Sequence, residues 1–358
     1  MAIEMTDLSH SPRKQGGETR KLQVTGGSTY IVSLPKKWIT RNQLKKGGLL
    51  TFLEEDDGSL SIISSSELVR KEKPDEAFIR ISSNENPGTI IRKVVSTYLL
   101  GYNLIRIKPR DQQQQLSSKQ RNAIKTFARD LLVGTEIVTD TPTELTLQVL
   151  LSYPELSIQS ALRRMCIIAS SMHKDALAAL KELDSQLAKS VIATDDEVDR
   201  FNLYVIRQLK MAIQNPRIIK EIGLTTSRDC LGYRLVTKSV ERAADHAANV
   251  AENALLLKSP MDKEVLRYLE EMSNLAVSMF ETAIESLFRL DFNLAESVIQ
   301  KTKEINFTMK EALLSSRNIG TEEIANIRMV IESLRRTAEY ASDIAEIVLN
   351  MTVESVIE

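Results

Sequence analysis

Two segments of this chain each occur twice, in the same order. LDSQLAKSVI at 183–192 returns as LDFNLAESVI at 290–299, and VERAADHAANVAENAL at 240–255 returns as LRRTAEYASDIAEIVL at 334–349. A repeat of this kind obliges the chain to build one supersecondary unit twice, and that limits the fold more than composition does. The offsets, 107 and 94 residues, differ mainly because the connection IQNPRIIKEIGLTTS at 213–227 is longer than its counterpart and carries Pro216 and Gly223. Apolar spacing predicts three long amphipathic helices per half, at about 155–184, 185–213 and 227–258, then 261–290, 292–316 and 321–352. Only 5% of residues are aromatic, so such helices must pack through leucine and alanine. Two tandem three-helix bundles are expected, over 155–258 and 259–358.

The run Leu235 to Leu257 is the best defined of these helices. At about 100° per residue, Val240, Ala243, Ala244, Ala247, Ala251, Ala254 and Leu255 form a small-residue seam suited to close packing. Glu241, Asp245, Asn249 and Glu252 form a stripe beside that seam. In the preceding helix Asp195, Asp199 and Asn202 follow one line next to an apolar face of Val191, Val198, Phe201 and Val205. Carboxylates four apart repel, and a position beside a packed face loses water, so an unpaired stripe is doubly unfavourable. Lysines or arginines from a neighbouring helix would relieve it, and so would a bound cation. An all-oxygen ligand set suits hard or borderline ions.

The run ERAADHAANVAE at 241–252, preceded by LDSQLAKSVIATDDEVD at 183–199, resembles the PhoU phosphate-signalling family, over roughly residue 155 to the end. The resemblance implies a multinuclear metal site on E-x-x-x-D helices. Its candidate ligands are Asp195, Asp199, Glu241, Asp245, Asn249 and Glu252, with Glu339 and Asp343 in the second half. The metal is expected to be divalent or trivalent: iron, magnesium, manganese or zinc. The second half departs from the pattern. Thr302 and Asn306 stand where the first half has Asp195 and Asp199, and Arg335 stands where it has Glu241, placed to pair with Glu339. A strong site is therefore expected in the first bundle and a weak or absent one in the second. His246 lies about 100° from the stripe and is expected at the surface or between helices, whereas His173 is expected on a polar face. Met165, Met172, Met272 and Met279 are expected in the core.

The amino-terminal part has a different texture. After a polar, aperiodic stretch at 1–18, expected to be a disordered tail, residues 20–64 alternate in short runs, KLQVT, TYIVSL, LLTFLE and SLSII, broken by glycine turns and the insert PKKWITRNQL. Trp38, Ile39 and Leu44 give that insert an apolar side. Four small strands cannot bury a stable core alone, so pairing with a second copy is expected. Between Arg13 and Lys46 nine basic residues face one acid, Glu18, which is the footprint of a polyanion-binding face. The stretch VTGGSTYIVSLPKKWITRNQLKKGGLLTF resembles the SpoVT/AbrB-like (MazE-like) swapped-hairpin family. That resemblance implies a homodimer that binds DNA, with Lys21, Lys36, Lys37 and Arg41 near phosphates and Thr25 and Ser28 in the hairpin loop. The fold also serves as a plain dimerisation clamp.

A charged linker at 65–76 leads to residues 77–152, where strands and helices alternate as βαβαββ, a small α/β domain. Arg106, Lys108 and Arg110 are placed to meet an anion, or the domain is a spacer with its sheet against the bundle. Cys166 and Cys230 have no partner spacing, so neither a disulfide framework nor a zinc knuckle is expected. No apolar run reaches the ~18–20 residues a membrane span needs, and there is no signal-peptide core, so a cytoplasmic protein is expected. The fold class is thus multidomain: an AbrB-like β unit, a small α/β domain and two PhoU-like bundles. The expected function is phosphate-responsive regulation of phosphate uptake, by a dimeric DNA-binding transcriptional regulator with a metal-binding sensor region. The alternatives are an adaptor that docks on a phosphate ABC transporter ATPase or a sensor kinase without binding DNA, and a metal-dependent phosphohydrolase. No nucleophile or general acid stands in a recognisable setting, so an enzyme is not expected.

Overall fold

A computed structural model describes residues 18–54, 58–64, 76–111, 113–150, 156–214, 216–316 and 321–357. The expected tail and linker lie outside the described residues, apart from Glu18 and Glu76. The chain divides into an amino-terminal unit, Met1–Pro74, and a carboxy-terminal unit, Asp75–Glu358.

In the amino-terminal unit β1 (Gln23–Thr25) and β2 (Thr29–Ile31) form one antiparallel hairpin, with Thr25 opposite Thr29. Gly26 and Gly27 close it at φ 61° and 83°, a left-handed conformation that glycine adopts without steric cost. Helix α1 (Lys36–Arg41) follows, and then β3 (Leu50–Glu54) pairs with β4 (Leu60–Ser64). The two hairpins do not share a sheet. Leu22, Val24, Tyr30, Ile31, Leu49 and Phe52 are exposed, and among the described residues of this unit no apolar side chain is buried. One copy therefore has strands and turns but no core.

The carboxy-terminal unit begins with β5 (Glu76–Ile81), α2 (Pro87–Leu99), β6 (Leu104–Pro109), α3 (Ser118–Leu131), β7 (Thr135–Asp140) and β8 (Leu145–Val149). The sheet order is β5-β6-β8-β7, with β5 and β6 parallel and the other pairs antiparallel. Ile81, Ile105, Ile107 and Leu147 from the strands meet Ile90, Val94 and Ile124 from the helices in one core. Asn86 caps α2 by accepting from the Gly88 amide at 2.8 Å, and Ser117 and Gln120 make a capping box at α3. On strand β6, Arg106 and Lys108 do meet an anion, but it is internal: Glu144 pairs with both, at 2.8 and 3.1 Å, and Glu76 also pairs with Arg106.

The helical region comprises α4 (Ile158–Glu182), α5 (Ser185–Gln214), α6 (Pro216–Glu221), α7 (Asp229–Leu256), α8 (Lys263–Arg289), α9 (Phe292–Gln300), α10 (Thr302–Ser315) and α11 (Thr321–Thr352). The long connection in the first half contains the short helix α6, and the second helix of the other half is interrupted at Lys301. The repeat is visible in the backbone: Leu183 and Leu290 both end a helix in the left-handed region, at φ 55° and 51°. The next residue caps the following helix in each case. Asp184 accepts from the Gln186 amide at 2.9 Å and Asp291 from the Leu294 amide at 3.0 Å. The two halves do not have separate cores, because one apolar cluster runs from α4 through α11, with α11 packed on both α7 and α8. All four expected methionines lie in it, and Cys166 and Cys230 are buried as free thiols.

Three expectations need correction. His173, expected on a polar face, is 1% exposed and sits where α4, α7 and α11 meet, with Nε2 2.8 Å from the Ala243 carbonyl oxygen and 3.1 Å from Thr337 Oγ1. Enclosure pushes its pKa down to about 4, so the imidazole is neutral. Leu255, expected on the seam, is 37% exposed because α7 ends one residue later, at Leu256, and has no further turn to pack beside it. The α/β domain, finally, turns its helices and not its sheet to the bundle: α2 and α3 pack on α5.

Arg207 of α5 fixes that junction. It is 3% exposed and donates to the carbonyl oxygens of Tyr98, Gly101 (3.0 Å) and Tyr102 (3.0 Å) and to Asn103 Oδ1 (2.7 Å). These carbonyls lie in and just beyond the last turn of α2, where the helix dipole favours a cation. The guanidinium also lies 4.7 Å from the centre of the Tyr98 ring.

Candidate functional site

The two acidic stripes meet. Helices α5 and α7 pack side by side, and their seams of Val191, Val198 and Val205 and of Val240, Ala243, Ala244, Ala247 and Ala251 are buried. Small residues allow close approach, which brings the stripes beside each seam into mutual electrostatic reach. Asp195 is half-buried and its pKa is pushed up to about 7, first by loss of water, then by Asp245, Asp199 and Glu241. Asp199 is pushed up to about 6, by loss of water and then by Glu241 and Asp245, with Lys238 opposing. Asp245 is raised by burial and by Glu241, with Lys238 and Arg242 opposing.

Neutralisation across this cluster is uneven. Glu241, 8% exposed, is paired with Lys238 one turn earlier on its own helix. Among the described residues, Asp195, Asp199 and Asp245 have neither a hydrogen bond nor an ion pair. Asn202, on the same line of α5, is buried with its Oδ1 unpartnered. Asn249 is half-buried, and its carbonyl oxygen accepts from Asn253 Nδ2 at 2.7 Å, while Glu252 is exposed. Among the described residues no three carboxylates or other ligating side chains stand ready-made as a metal-holding group. Three unneutralised carboxylates and an orphaned amide oxygen are oxygen donors of the kind a hard cation takes. Sequence reasoning missed the Lys238 pairing and the orphaned state of Asn202, although Asn202 was visible on the line.

The corresponding place in the second half is closed by its own side chains. Arg335 pairs with Glu332 at 2.6 Å and with Glu339, and Arg336 reaches the same two acids at 3.3 and 3.1 Å. Thr302, where the first half has Asp195, shares a 3.1 Å hydrogen bond with Ser342 of α11. Asp343 has its pKa raised by burial, Glu346 and Glu339. Guanidinium groups and a hydroxyl pair thus replace whatever the first half requires. His246 does not join the first-half acids; it lies within electrostatic reach of Glu332 and Glu339, with its ring centre 5.7 Å from that of Tyr340 and its Nδ1 buried without a partner.

In the amino-terminal unit, Lys21, Thr25, Ser28, Lys36, Lys37 and Arg41 are all exposed, and among the described residues none of the four basic side chains is in an ion pair. Thr25 and Ser28 flank the Gly26–Gly27 turn, and the basic residues lie before β1 and along α1. No helix of the described residues is long and apolar enough to cross a membrane.

These features coincide with known domains. The PhoU domain model matches residues 162–254 and again 269–348, and the model for the antidote-toxin recognition domain of MazE, a bacterial antitoxin, matches residues 23–73. A phosphate-specific transport system accessory protein PhoU homolog from Caulobacter vibrioides is 26% identical over 196 residues, spanning 52% of this chain and 82% of its own length. PhoU homolog 1 from Thermotoga maritima is 23% identical over 202 residues, spanning 54% and 84%. Among solved structures, PhoU from Pseudomonas aeruginosa matches with TM-score 0.49 and 24% identity over 55% of this chain and 96% of that one. The phosphate transport system regulatory protein PhoU from Streptococcus pneumoniae matches with TM-score 0.48 and 19% identity, over 56% and 96%. The chain is a fusion of an amino-terminal MazE/AbrB-like domain with two PhoU domains.

Proposed function

We propose that this chain is a phosphate-responsive regulator of phosphate uptake that dimerises and binds DNA through its MazE/AbrB-like domain and holds a cation between α5 and α7 of its first PhoU domain. The carrying observation is the cluster of Asp195, Asp199 and Asp245, unneutralised and half-buried beside the orphaned Asn202 oxygen. A bound hard cation supplies positive charge there. The chain's own part is to hold four carboxylates and one amide oxygen on two packed helices, with Lys238 offsetting one charge. In the second PhoU domain Arg335 and Arg336 neutralise Glu332 and Glu339, so a cation is held there weakly or not at all.

The exposed basic side chains of the amino-terminal unit support the DNA part, because lysines around a turn and a short helix release counterions when they meet phosphates. A gel-shift titration tests it: Lys36→Ala with Lys37→Ala should abolish binding at moderate salt and flatten the salt dependence, and binding unchanged in that variant removes the assignment. A second reading rests on the relatives' description as accessory proteins of a phosphate-specific transport system. There the MazE/AbrB-like domain only dimerises, and the PhoU domains dock on the transporter ATPase or a sensor kinase. Co-purification with the transporter and no DNA affinity at moderate salt distinguish it.

A further inference from the structure

We propose a second site, for a phosphoryl group, between the α/β domain and the first PhoU domain. A cavity of about 370 Å³ opens where the end of α3 and the start of β7 face α5. That is enough for a small ligand. Arg129 of α3 and Arg200 of α5 line it from opposite elements, and among the described residues neither guanidinium has a hydrogen bond or an ion pair. Thr135, at the head of β7, lines the same space; it is 8% exposed and its Oγ1 is buried with no hydrogen-bond partner. A threonine hydroxyl donates once and accepts twice, and leaving one dry and unpaired is costly. Gly134 precedes it at φ 65° and leaves the turn without a side chain.

Two planar forks of N–H donors and an unsatisfied hydroxyl match the oxygen set of a phosphoryl group, which can accept two charge-assisted bonds and satisfy the hydroxyl. Glu136 also lines the cavity, so its charged lining totals two cations against one carboxylate. That carboxylate disfavours a bare dianion and suits a phosphomonoester whose body carries hydroxyl or amino donors. Leu132 and Ile137 supply an apolar wall for such a body. The site shares no residue with the cation cluster, although Arg200 directly follows Asp199 on α5. Its failure leaves the proposed function standing.

The full chain is titrated calorimetrically with inorganic phosphate, adenosine monophosphate and adenosine at fixed ionic strength. Binding of at least one phosphoryl probe, with no adenosine binding, is expected. Arg129→Gln and Arg200→Gln should each weaken that binding about tenfold. Both side chains are exposed, so folding should be unaffected. Thr135→Val gives an independent reading, because it removes an orphaned hydroxyl: the melting temperature should hold or rise while affinity falls. A stronger response to the monophosphate than to phosphate, with Glu136→Gln weakening only the monophosphate, identifies an ester; the reverse order identifies the free anion. The proposal is overturned if neither phosphoryl probe binds, if adenosine binds equally, or if the arginine variants bind like the wild type.

Discussion

The acidic cluster predicts that a charge-removing substitution will stabilise the protein when cations are withheld, and that the same substitution will remove its response to them. Asp195→Asn is the perturbation. In the folded chain the Asp195 pKa rises from an ordinary 3.8 to about 7, first because packing removes water and then because Asp245, Asp199 and Glu241 lie near it. An acid with a folded pKa above its unfolded pKa costs nothing below the unfolded value, where both states are protonated. The cost then grows with pH and is complete above the folded value, here over roughly pH 4 to 7. A rise of about three units would amount to about 4 kcal/mol for an enclosed group. Asp195 is only half-buried, and screening by water reduces the figure to about 1–2 kcal/mol. In chelator at pH 8 the variant should therefore melt about 2–8 °C above the wild type, at ~2–4 °C per kcal/mol, and the gap should close near pH 4. Manganese or magnesium should raise the wild-type melting temperature and leave the variant nearly unmoved. A variant less stable than wild type in chelator at pH 8, or one that gains as much from the cation, would refute the reasoning.

Three further outcomes are expected. Arg207→Ala leaves the buried Gly101 and half-buried Tyr102 carbonyl oxygens without a donor, at about 1–3 kcal/mol for the buried one, whereas the Tyr98 oxygen keeps the Gly101 amide. Amide exchange at the carboxy-terminal end of α2 should accelerate while the α7 core stays protected; unchanged exchange at both would show that Arg207 does not hold the junction. Val24→Asp puts a charge into exposed apolar surface that a second copy is expected to cover, so light scattering should report a monomer where the wild type is a dimer. Leu183→Gly and Leu290→Gly relieve left-handed backbone at two helix ends, and each should raise stability by about 0.5–1 kcal/mol in a denaturant titration.

The sequence by itself determined the elements and their angular faces. The repeat set the order of the long helices, though not the short α6 in the connection or the break at Lys301, and the spacing of Val240, Ala243, Ala244, Ala247 and Ala251 identified the buried side of α7. Arg335 was placed four residues before Glu339, and the pair forms. Periodicity fails at element ends, as at Leu255, and where a polar residue is buried for its partners, as at His173 between α7 and α11. Arg207 gave no signal at all, because its acceptors are three main-chain oxygens and the Asn103 side chain, about a hundred residues earlier. Only the tertiary structure decided that the α5 and α7 acids face one another, that Lys238 neutralises just one of them, and that the α/β domain meets the bundle through its helices. The physical reason is that periodicity fixes a side chain's angle about its own helix axis, whereas charge and desolvation depend on which other axis lies within a few ångströms.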